Sequence, residues 1–223
     1  PLTEGVDSTQ YDKLTRVQWL GKNYVVGAEV KLFWISMRNT LVFCLLAVPM
    51  SMIPALLLAN VLNSKIPGMK FFRAVYFLPS VAATVGVAVI WQWLYNASVG
   101  YINYAITLVV QFLNNTLNLA VIDPQVRWMS DASVALLAIV IVSAWQTMGF
   151  NTVLFLAGLQ NIPKELYEAA IVDGAGRWMK FWKITLPLLA PTTFYVVTTT
   201  TIQALQGFDQ VFVMTNPPGS PYK

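Results

Sequence analysis

Four long stretches of this chain contain no charged residue, and they limit what the chain can fold into. They cover residues 39–64, 74–122, 132–163 and 184–208, with lengths of 26, 49, 32 and 25 residues. A helix crosses the hydrocarbon core of a bilayer with about 20 apolar residues. Charged residues make up only 11% of the chain, against about 25% in a typical soluble domain. The sequence therefore predicts an integral membrane protein built of helices.

We predict one all-α transmembrane domain over residues 1–223, with four membrane-spanning helices, a short outer helix and a short cytoplasmic helix in the loop at 161–185. The short outer helix, at about 101–114, is predicted to lie at the outer interface rather than to cross. The spans are predicted near residues 39–63, 72–95, 132–160 and 186–208. The prolines at positions 49, 54, 79 and 191 predict kinks within these spans, which membrane helices tolerate.

The basic residues indicate which loops face the cytoplasm. Loops 64–73 and 161–183 contain three and four basic residues, whereas segment 96–131 contains only Arg127. Basic loops prefer the cytoplasm, and both basic loops fall there if the helix at 101–114 does not cross. The amino-terminal 38 residues conflict with this topology, because they hold five basic residues and are predicted to lie outside.

Several functional classes are excluded by residues that the sequence lacks. The chain has no histidine, so Ser-His-Asp hydrolases and His-Glu-x-x-His metalloenzymes are excluded. It has no Gly-x4-Gly-Lys-Ser/Thr stretch, and it therefore holds no P-loop for ATP. No stripe of basic and aromatic residues indicates nucleic-acid binding. We predict no catalytic residue, no metal ligand and no cofactor in this chain.

The loop at 161–185 carries the most specific motif. It contains Glu168-Ala169-Ala170, then Gly174 after three residues, and Ile184-Thr185-Leu186-Pro187 after nine more. The pattern predicts a short helix that starts near Pro163 and ends at Gly174, because glycine readily adopts the left-handed conformation of a helix end. Asn161 and Asp173 are candidate caps. By pattern alone, a helical connector between two spans is an equally good interpretation.

The complete spacing resembles the EAA loop of binding-protein-dependent ABC importers. Three more stretches are similar to the carbohydrate-uptake branch of that family, which is related to the maltose and glycerol-phosphate systems. They are residues 39–41, 72–80 and 207–215, whereas Asn216-Pro217-Pro218-Gly219 departs from the family's Gly-Gly-Pro. The family usually has at least six spans, so the first and last spans of that core are expected to be missing here.

The resemblance implies a permease subunit of an ATP-driven sugar importer in a bacterial or archaeal plasma membrane. Its partners would be a pair of ABC ATPases that bind ATP, a second permease subunit that is identical or different, and an extracytoplasmic solute-binding protein. Within the loop, Glu168, Ala169, Ala170, Asp173 and Gly174 would form the ATPase-coupling site.

Polar residues at helical spacing in the third and fourth spans predict a solute pathway. Polar side chains in a bilayer face the bundle interior or a wet cavity, and neutral hydrogen-bonding groups beside aromatic rings suit a sugar. The alternative is that these groups only hold helices together. The candidate pathway residues are Ser143, Trp145, Gln146, Thr147, Phe150, Thr200, Gln203 and Gly207.

Other functions remain as alternatives to sugar import. Trp91, Trp93 and Tyr95 end the second span, where an aromatic belt is expected and contact with solute is the less favoured interpretation. A secondary transporter or channel would require coupling carboxylates within the spans or an inverted repeat, and neither is evident. The remaining alternatives are a permease for a non-sugar solute and a membrane scaffold without a transport path.

Overall fold

The computed structural model describes residues 12–19, 22–28, 31–63, 69–117 and 126–215. The chain divides into two compact units, Pro1–Phe43 and Cys44–Lys223. The departure from the family pattern at 216–219 and residues 64–68 of the basic loop 64–73 lie outside the described residues.

A two-stranded antiparallel hairpin lies in the first unit, and the all-α prediction missed it. Strands β1 (Asp12–Trp19) and β2 (Lys22–Ala28) pair with Trp19 opposite Lys22 and Asp12 opposite Ala28. The signal was present in the sequence, because β-branched and aromatic residues such as Thr15, Val17 and Tyr24 occur on both sides of Gly21, a residue type common in hairpin turns.

Ten helices account for the remaining elements in the described part of the chain. The first, α1 (Lys31–Leu62), begins eight residues before the predicted span and runs through both Pro49 and Pro54. The others are α2 (Met69–Val81), α3 (Thr84–Leu94), α4 (Tyr101–Leu117), α5 (Ala132–Gln160), α6 (Lys164–Val172), α7 (Arg177–Lys180), α8 (Leu186–Leu188), α9 (Ala190–Leu205) and α10 (Phe208–Thr215). A π-helical segment, Phe181–Thr185, joins α7 to α8.

Two of these helices are long and apolar enough to cross a membrane within the described residues. They contain the stretches Leu32–Leu62 of α1 and Val134–Gln160 of α5. A third crossing results if α2 and α3 form one broken span, since the two helices pass the same test together but meet at 97°. The region predicted as a straight span at 72–95 is therefore bent at Ala82 and Ala83. The region predicted as the span 186–208 consists of α8 and the 16-residue α9.

The core of the second unit lies where the carboxyl-terminal halves of α1 and α5 meet α9. Its buried residues include Ala55, Ala59, Phe155, Leu159 and Val196. Lipid chains are as apolar as these side chains, so close packing rather than the hydrophobic effect must hold the helices together. Small residues such as Ala55 and Ala59 permit that packing.

Gly149 allows α5 to approach the backbone of α2 closely. A Cβ atom added at Gly149 would overlap the carbonyl oxygen of Tyr76. This contact places the α2–α3 break beside the polar face of α5.

Three buried polar side chains join α1, α5 and α9. Asn151 donates from Nδ2 to the Ser51 hydroxyl at 3.3 Å, and its Oδ1 accepts from the Thr200 hydroxyl at 3.2 Å. All three residues are at most 2% exposed. A buried amide without partners would be costly in an apolar medium, so this set of bonds fixes the relative positions of the three helices.

Candidate functional site

A polar cavity of about 390 Å³ lies among α1, the α2–α3 break, α5, α9 and α10. Seven of the eight candidate pathway residues line it, which brings together the polar faces of two helices that are distant in sequence. The lining residues are Ala47, Phe77, Ser80, Thr84, Ser143, Gln146, Thr147, Phe150, Thr200, Gln203, Ala204, Gln206, Gly207, Asp209 and Gln210.

Trp145 is the one candidate pathway residue that does not line the cavity. Its ring instead packs against Trp91, with ring centroids 5.5 Å apart at 69°. The physical reason is helical geometry, since successive residues point about 100° apart around a helix. Trp145 therefore lies beside the stripe of Ser143, Gln146, Thr147 and Phe150 rather than on it.

Gln146 connects the polar face of α5 to the break between α2 and α3. Its Nε2 donates to the carbonyl oxygen of Ala82 at 3.3 Å and to the Thr84 hydroxyl at 3.4 Å. A break in a helix frees carbonyl groups that need donors, and Gln146 supplies one. Gln146 therefore also helps to hold helices together, which was the alternative to a role in a solute pathway.

Gln203 and Gln146 differ in how their amides are used. Within the described residues, no hydrogen bond involves the side chain of Gln203, which is exposed on the cavity wall. Thr147 is satisfied within its own helix, donating to the carbonyl oxygen of Ser143 at 2.9 Å. Gln203 therefore has more free hydrogen-bonding capacity than its neighbours on α5.

Two lining residues from α10, Asp209 and Gln210, were not among the candidates. Gln210 is only 5% exposed, and its Nε2 has no hydrogen-bond partner among the described residues. Buried polar groups are normally paired, so Gln210 is an exception among the described residues. Asp209 is the one charged residue in the lining.

These α10 residues escaped prediction because α10 is separated from α9 by a turn at Gln206 and Gly207. Helical periodicity in α9 carries no information about the direction after that turn. The available signal was the polar pair Asp209-Gln210 directly after an apolar stretch.

The loop between α5 and α9 forms a second candidate site, with α6 at its tip. The helix ends in a Schellman motif, in which Ala175 donates to Ala170 at 2.8 Å and Gly174 donates to Ile171 at 3.0 Å. Gly174 has a φ of 76°, in the left-handed region that favours glycine. The chain reverses at Gly174, as predicted.

The predicted caps of this loop are wrong. Pro163 occupies the N-cap position of α6 and makes no side-chain cap bond, so Asn161 is not the cap of this helix. Asp173 ends α6 instead of capping the next helix, since Gly176 precedes α7. Glu168, Ala169 and Asp173 are exposed and Ala170 is half-buried.

A contact on the buried side of the loop connects α6 to the π-helical segment that precedes α8. The Tyr167 hydroxyl is 2.9 Å from the hydroxyl of Thr185, which is 4% exposed and lies in the π-helical segment. Ile162 is buried in the core beside Leu159. The carboxyl end of α6 presents apolar residues, with Ile171 60% and Val172 88% exposed.

The part of the chain that the structure describes offers no metal-binding group. No three or more His, Cys, Asp or Glu side chains lie together there. The polar cavity offers hydrogen-bonding groups but no set of residues for making or breaking covalent bonds. The loop with α6 offers exposed apolar residues on a helix that Tyr167 holds in place. This combination is that of a helical membrane protein with a polar internal cavity.

Comparison with known proteins identifies the class. Residues 38–222 match the family described as binding-protein-dependent transport system inner membrane component. The chain therefore belongs to that family, which confirms the resemblance found in its sequence.

Two curated relatives illustrate the similarity. The chain is 36% identical over 194 residues (87% of its length) to the trehalose/maltose transport system permease protein MalF of Thermococcus litoralis. It is 33% identical over 190 residues (85% of its length) to the lactose transport system permease protein LacF of Rhizobium radiobacter. The chain spans about 62% and 60% of the length of these two relatives.

A solved structure shares the fold. It is the crystal structure of a bacterial ABC transporter involved in the import of the acidic polysaccharide alginate, which matches with a TM-score of 0.68 at 24% identity. The match covers 84% of this chain and 63% of that one. The prediction of a helical membrane protein is thereby confirmed.

Proposed function

We propose that this chain is the membrane-spanning permease subunit of an ATP-driven sugar importer and that the polar cavity is part of its translocation pathway. The observation that carries the proposal is the cavity wall. Neutral amides and hydroxyls from α5, α9 and α10 converge there beside Phe77 and Phe150. Sugar hydroxyls need such partners, and aromatic rings pack against the C–H faces of a sugar. The volume, about 390 Å³, lies within the range of small-molecule sites, about 300–1,000 Å³.

The energy would come from a separate pair of ABC ATPases that dock on α6. Its exposed apolar tip at Ile171 and Val172 provides a surface for a partner, and Ala169 lets that partner approach the backbone. Because Tyr167 fastens α6 to Thr185, a displacement of α6 would be passed to α8 and α9, and hence to Thr200 and Gln203. Closure of the ATPases on ATP would tilt the bundle from inward-open to outward-open, and hydrolysis would reset it.

The remaining partners follow from the same proposal. An extracytoplasmic solute-binding protein would deliver the sugar, and a second permease subunit would complete the pathway. The relatives named above carry trehalose, maltose and lactose in their descriptions, which supports a di- or oligosaccharide as the solute. The location would be the plasma membrane of a bacterium or archaeon.

One observation favours a second candidate function, an ion-coupled carrier. Asp209 places a carboxylate in the cavity wall, and carboxylates at such positions couple ions to transport in secondary transporters. The exposed α6 surface and its link to Thr185 favour the ATP-driven mechanism, because a carrier without an ATPase has no use for either.

Uptake into proteoliposomes distinguishes the two functions. The chain would be reconstituted with its ATPase, second permease and binding protein, and uptake of radiolabelled maltose, trehalose and lactose would be measured. In the wild type we expect uptake that requires internal ATP and resists a protonophore. Uptake by the Asp209→Asn variant, even at a lower rate, should show the same two properties. Uptake without ATP that collapses with the protonophore and in Asp209→Asn would instead establish the carrier.

A further inference from the structure

A second pocket, which shares no lining residue with the central cavity, lies at the carboxyl end of α3. Its volume is about 450 Å³, and it is formed by the end of α3, the turn that follows it, residues 127–130 and Met214 of α10. The topology argued from the basic loops places this end of α3 outside. Helix α10 borders both sites, because Asp209 and Gln210 at its start line the central cavity while Met214 lines this pocket.

The floor of the outer pocket is the half-buried ring of Trp128, and Tyr95, which is only 3% exposed, supports that ring from behind. The rings of Tyr95 and Trp128 lie 5.2 Å apart at 33°. The Tyr95 hydroxyl donates to the carbonyl oxygen of Ala138 at 3.2 Å, and the Trp128 indole donates to Asn103 Oδ1 at 2.9 Å. Asn103 in turn donates to Val126 at 2.9 Å. These bonds fix the orientation of both rings before any ligand arrives.

The rim of the outer pocket carries hydrogen-bond donors that have no partner among the described residues. Asn96 accepts three bonds at Oδ1, from Ser98 N, Ser98 Oγ and Val99 N, and within the described residues its amide N–H groups make no bond. Among the described residues, no bond is made by the guanidinium of Arg127 or by the indole of Trp93, which is 80% exposed. The lining contains no carboxylate.

We propose that the outer pocket is a saccharide subsite, in which one sugar unit packs against the aromatic floor while its oxygens accept from Arg127, Asn96 and Trp93. The proposal rests on the proposed function and adds a binding step before the central cavity. An aromatic belt would explain an exposed indole at this depth. It would not explain a fixed indole floor at Trp128 with a guanidinium and an amide above it that have no partner among the described residues. Aromatic surface with a few oriented polar groups is the usual composition of a small-molecule site.

Photolabelling of the complete transporter in nanodiscs, without the binding protein, tests the proposal. The probe is maltotriose carrying a diazirine, with free maltotriose as competitor. We expect competable labelling of peptides containing Trp93 or residues 126–131. Labelling there should fall about tenfold in Arg127→Gln and Trp93→Ala, because each removes one of few contacts. The matched control is Phe112→Ala, an exposed aromatic of α4 that lines neither pocket, and it should label as the wild type does.

Three results would overturn the outer subsite. The first is a label confined to residues 143–150 and 200–210. The second is equal labelling in all variants, and the third is the absence of any competable label in a transporter that takes up maltose with ATP. Those results leave the proposed function intact. A reconstituted complex that shows no ATP-driven uptake of any sugar contradicts the proposed function itself.

Discussion

The amide of Gln210 lies buried in the wall of the central cavity without a hydrogen-bond partner among the described residues. A buried unsatisfied donor costs about 1–3 kcal/mol. The native side chain therefore carries this cost among the described residues, while it contributes a polar group to the wall of the cavity. Stability and binding are thus opposed at this one residue.

Replacing Gln210 with Met should raise the thermal stability of the protein and lower sugar uptake. Met has nearly the same length and leaves no unsatisfied donor, so we expect a gain of about 1 kcal/mol in the free energy of unfolding. Melting of the detergent-solubilised protein and uptake in proteoliposomes measure the two effects.

Gln92→Met is the matched control for Gln210→Met. The amide of Gln92 donates to the carbonyl oxygen of Val213, so the same substitution there removes a made bond and should lower the melting temperature. Equal destabilisation by both substitutions would show that the amide of Gln210 is satisfied, contrary to the role given to it here.

Between elements, the bonds of Asn151 to Ser51 and Thr200 determine how α1, α5 and α9 fit together. Thr200→Val removes one donor and leaves Asn151 Oδ1 buried and unpaired. Hydrogen bonds between membrane helices are worth about 0.6 kcal/mol on average and at most about 1.7 kcal/mol. We expect a loss toward the upper value, because Asn151 is fully buried. Thermal or SDS-induced unfolding measures it.

Thr198→Val controls for the change of side chain. The Thr198 hydroxyl donates only to the carbonyl oxygen of Phe194 in its own helix and is exposed, so its loss should change stability by less than about 0.5 kcal/mol. A larger loss at position 198 than at 200 would contradict the account of the three-helix bonds.

The turn after α6 is tested by two glycines that lie two residues apart. Gly174→Val places a β-branched residue at a φ of 76°, which costs about 1–2 kcal/mol and should distort the reversal. Gly176 has a φ of −68° and free space around its Cβ position, so Gly176→Val meets neither strain nor overlap. We expect Gly174→Val to insert normally but to lose most uptake, as measured by membrane fractionation and transport.

Uptake at the wild-type rate in Gly174→Val would mean that the reversal transmits nothing. An equal loss in Gly176→Val would mean that α6 depends on the flexibility of the whole turn and not on the left-handed residue.

The sequence predicted where the helical regions lie better than it predicted where those regions bend. Charge-free length is a direct consequence of bilayer thickness, so the regions of α1 and α5 were accessible from composition. The break at Ala82 and Ala83 was not, because proline alone does not decide it. Pro49 and Pro54 lie within a continuous α1, and Pro191 lies in the first turn of α9, where its missing N–H costs nothing.

The cavity was partly predictable for a related reason. Helical spacing identified the polar faces of α5 and α9 one at a time, and seven of those residues line one cavity. It could not identify Ser80, Thr84, Asp209 and Gln210, which come from elements whose placement depends on the break and on the turn before α10. Periodicity describes one helix, whereas a cavity depends on which helices face each other.

For the whole molecule, the central claim is that the α6 tip faces the cytoplasm and receives work from a separate ATPase. Every other proposal for this chain depends on that sidedness, including the assignment of the outer pocket. The claim also explains why an exposed apolar tip is combined with a buried anchor at Tyr167.

A cysteine at position 172 tests this claim most directly. Val172 is 88% exposed, and Cys44, the one native cysteine, would be replaced by Ser. In vesicles of known orientation, Val172→Cys should react with a membrane-impermeant maleimide only from the cytoplasmic side, and ATPase bound to the complex should block the reaction. Labelling from the outside, or labelling that bound ATPase leaves unchanged, would contradict the account.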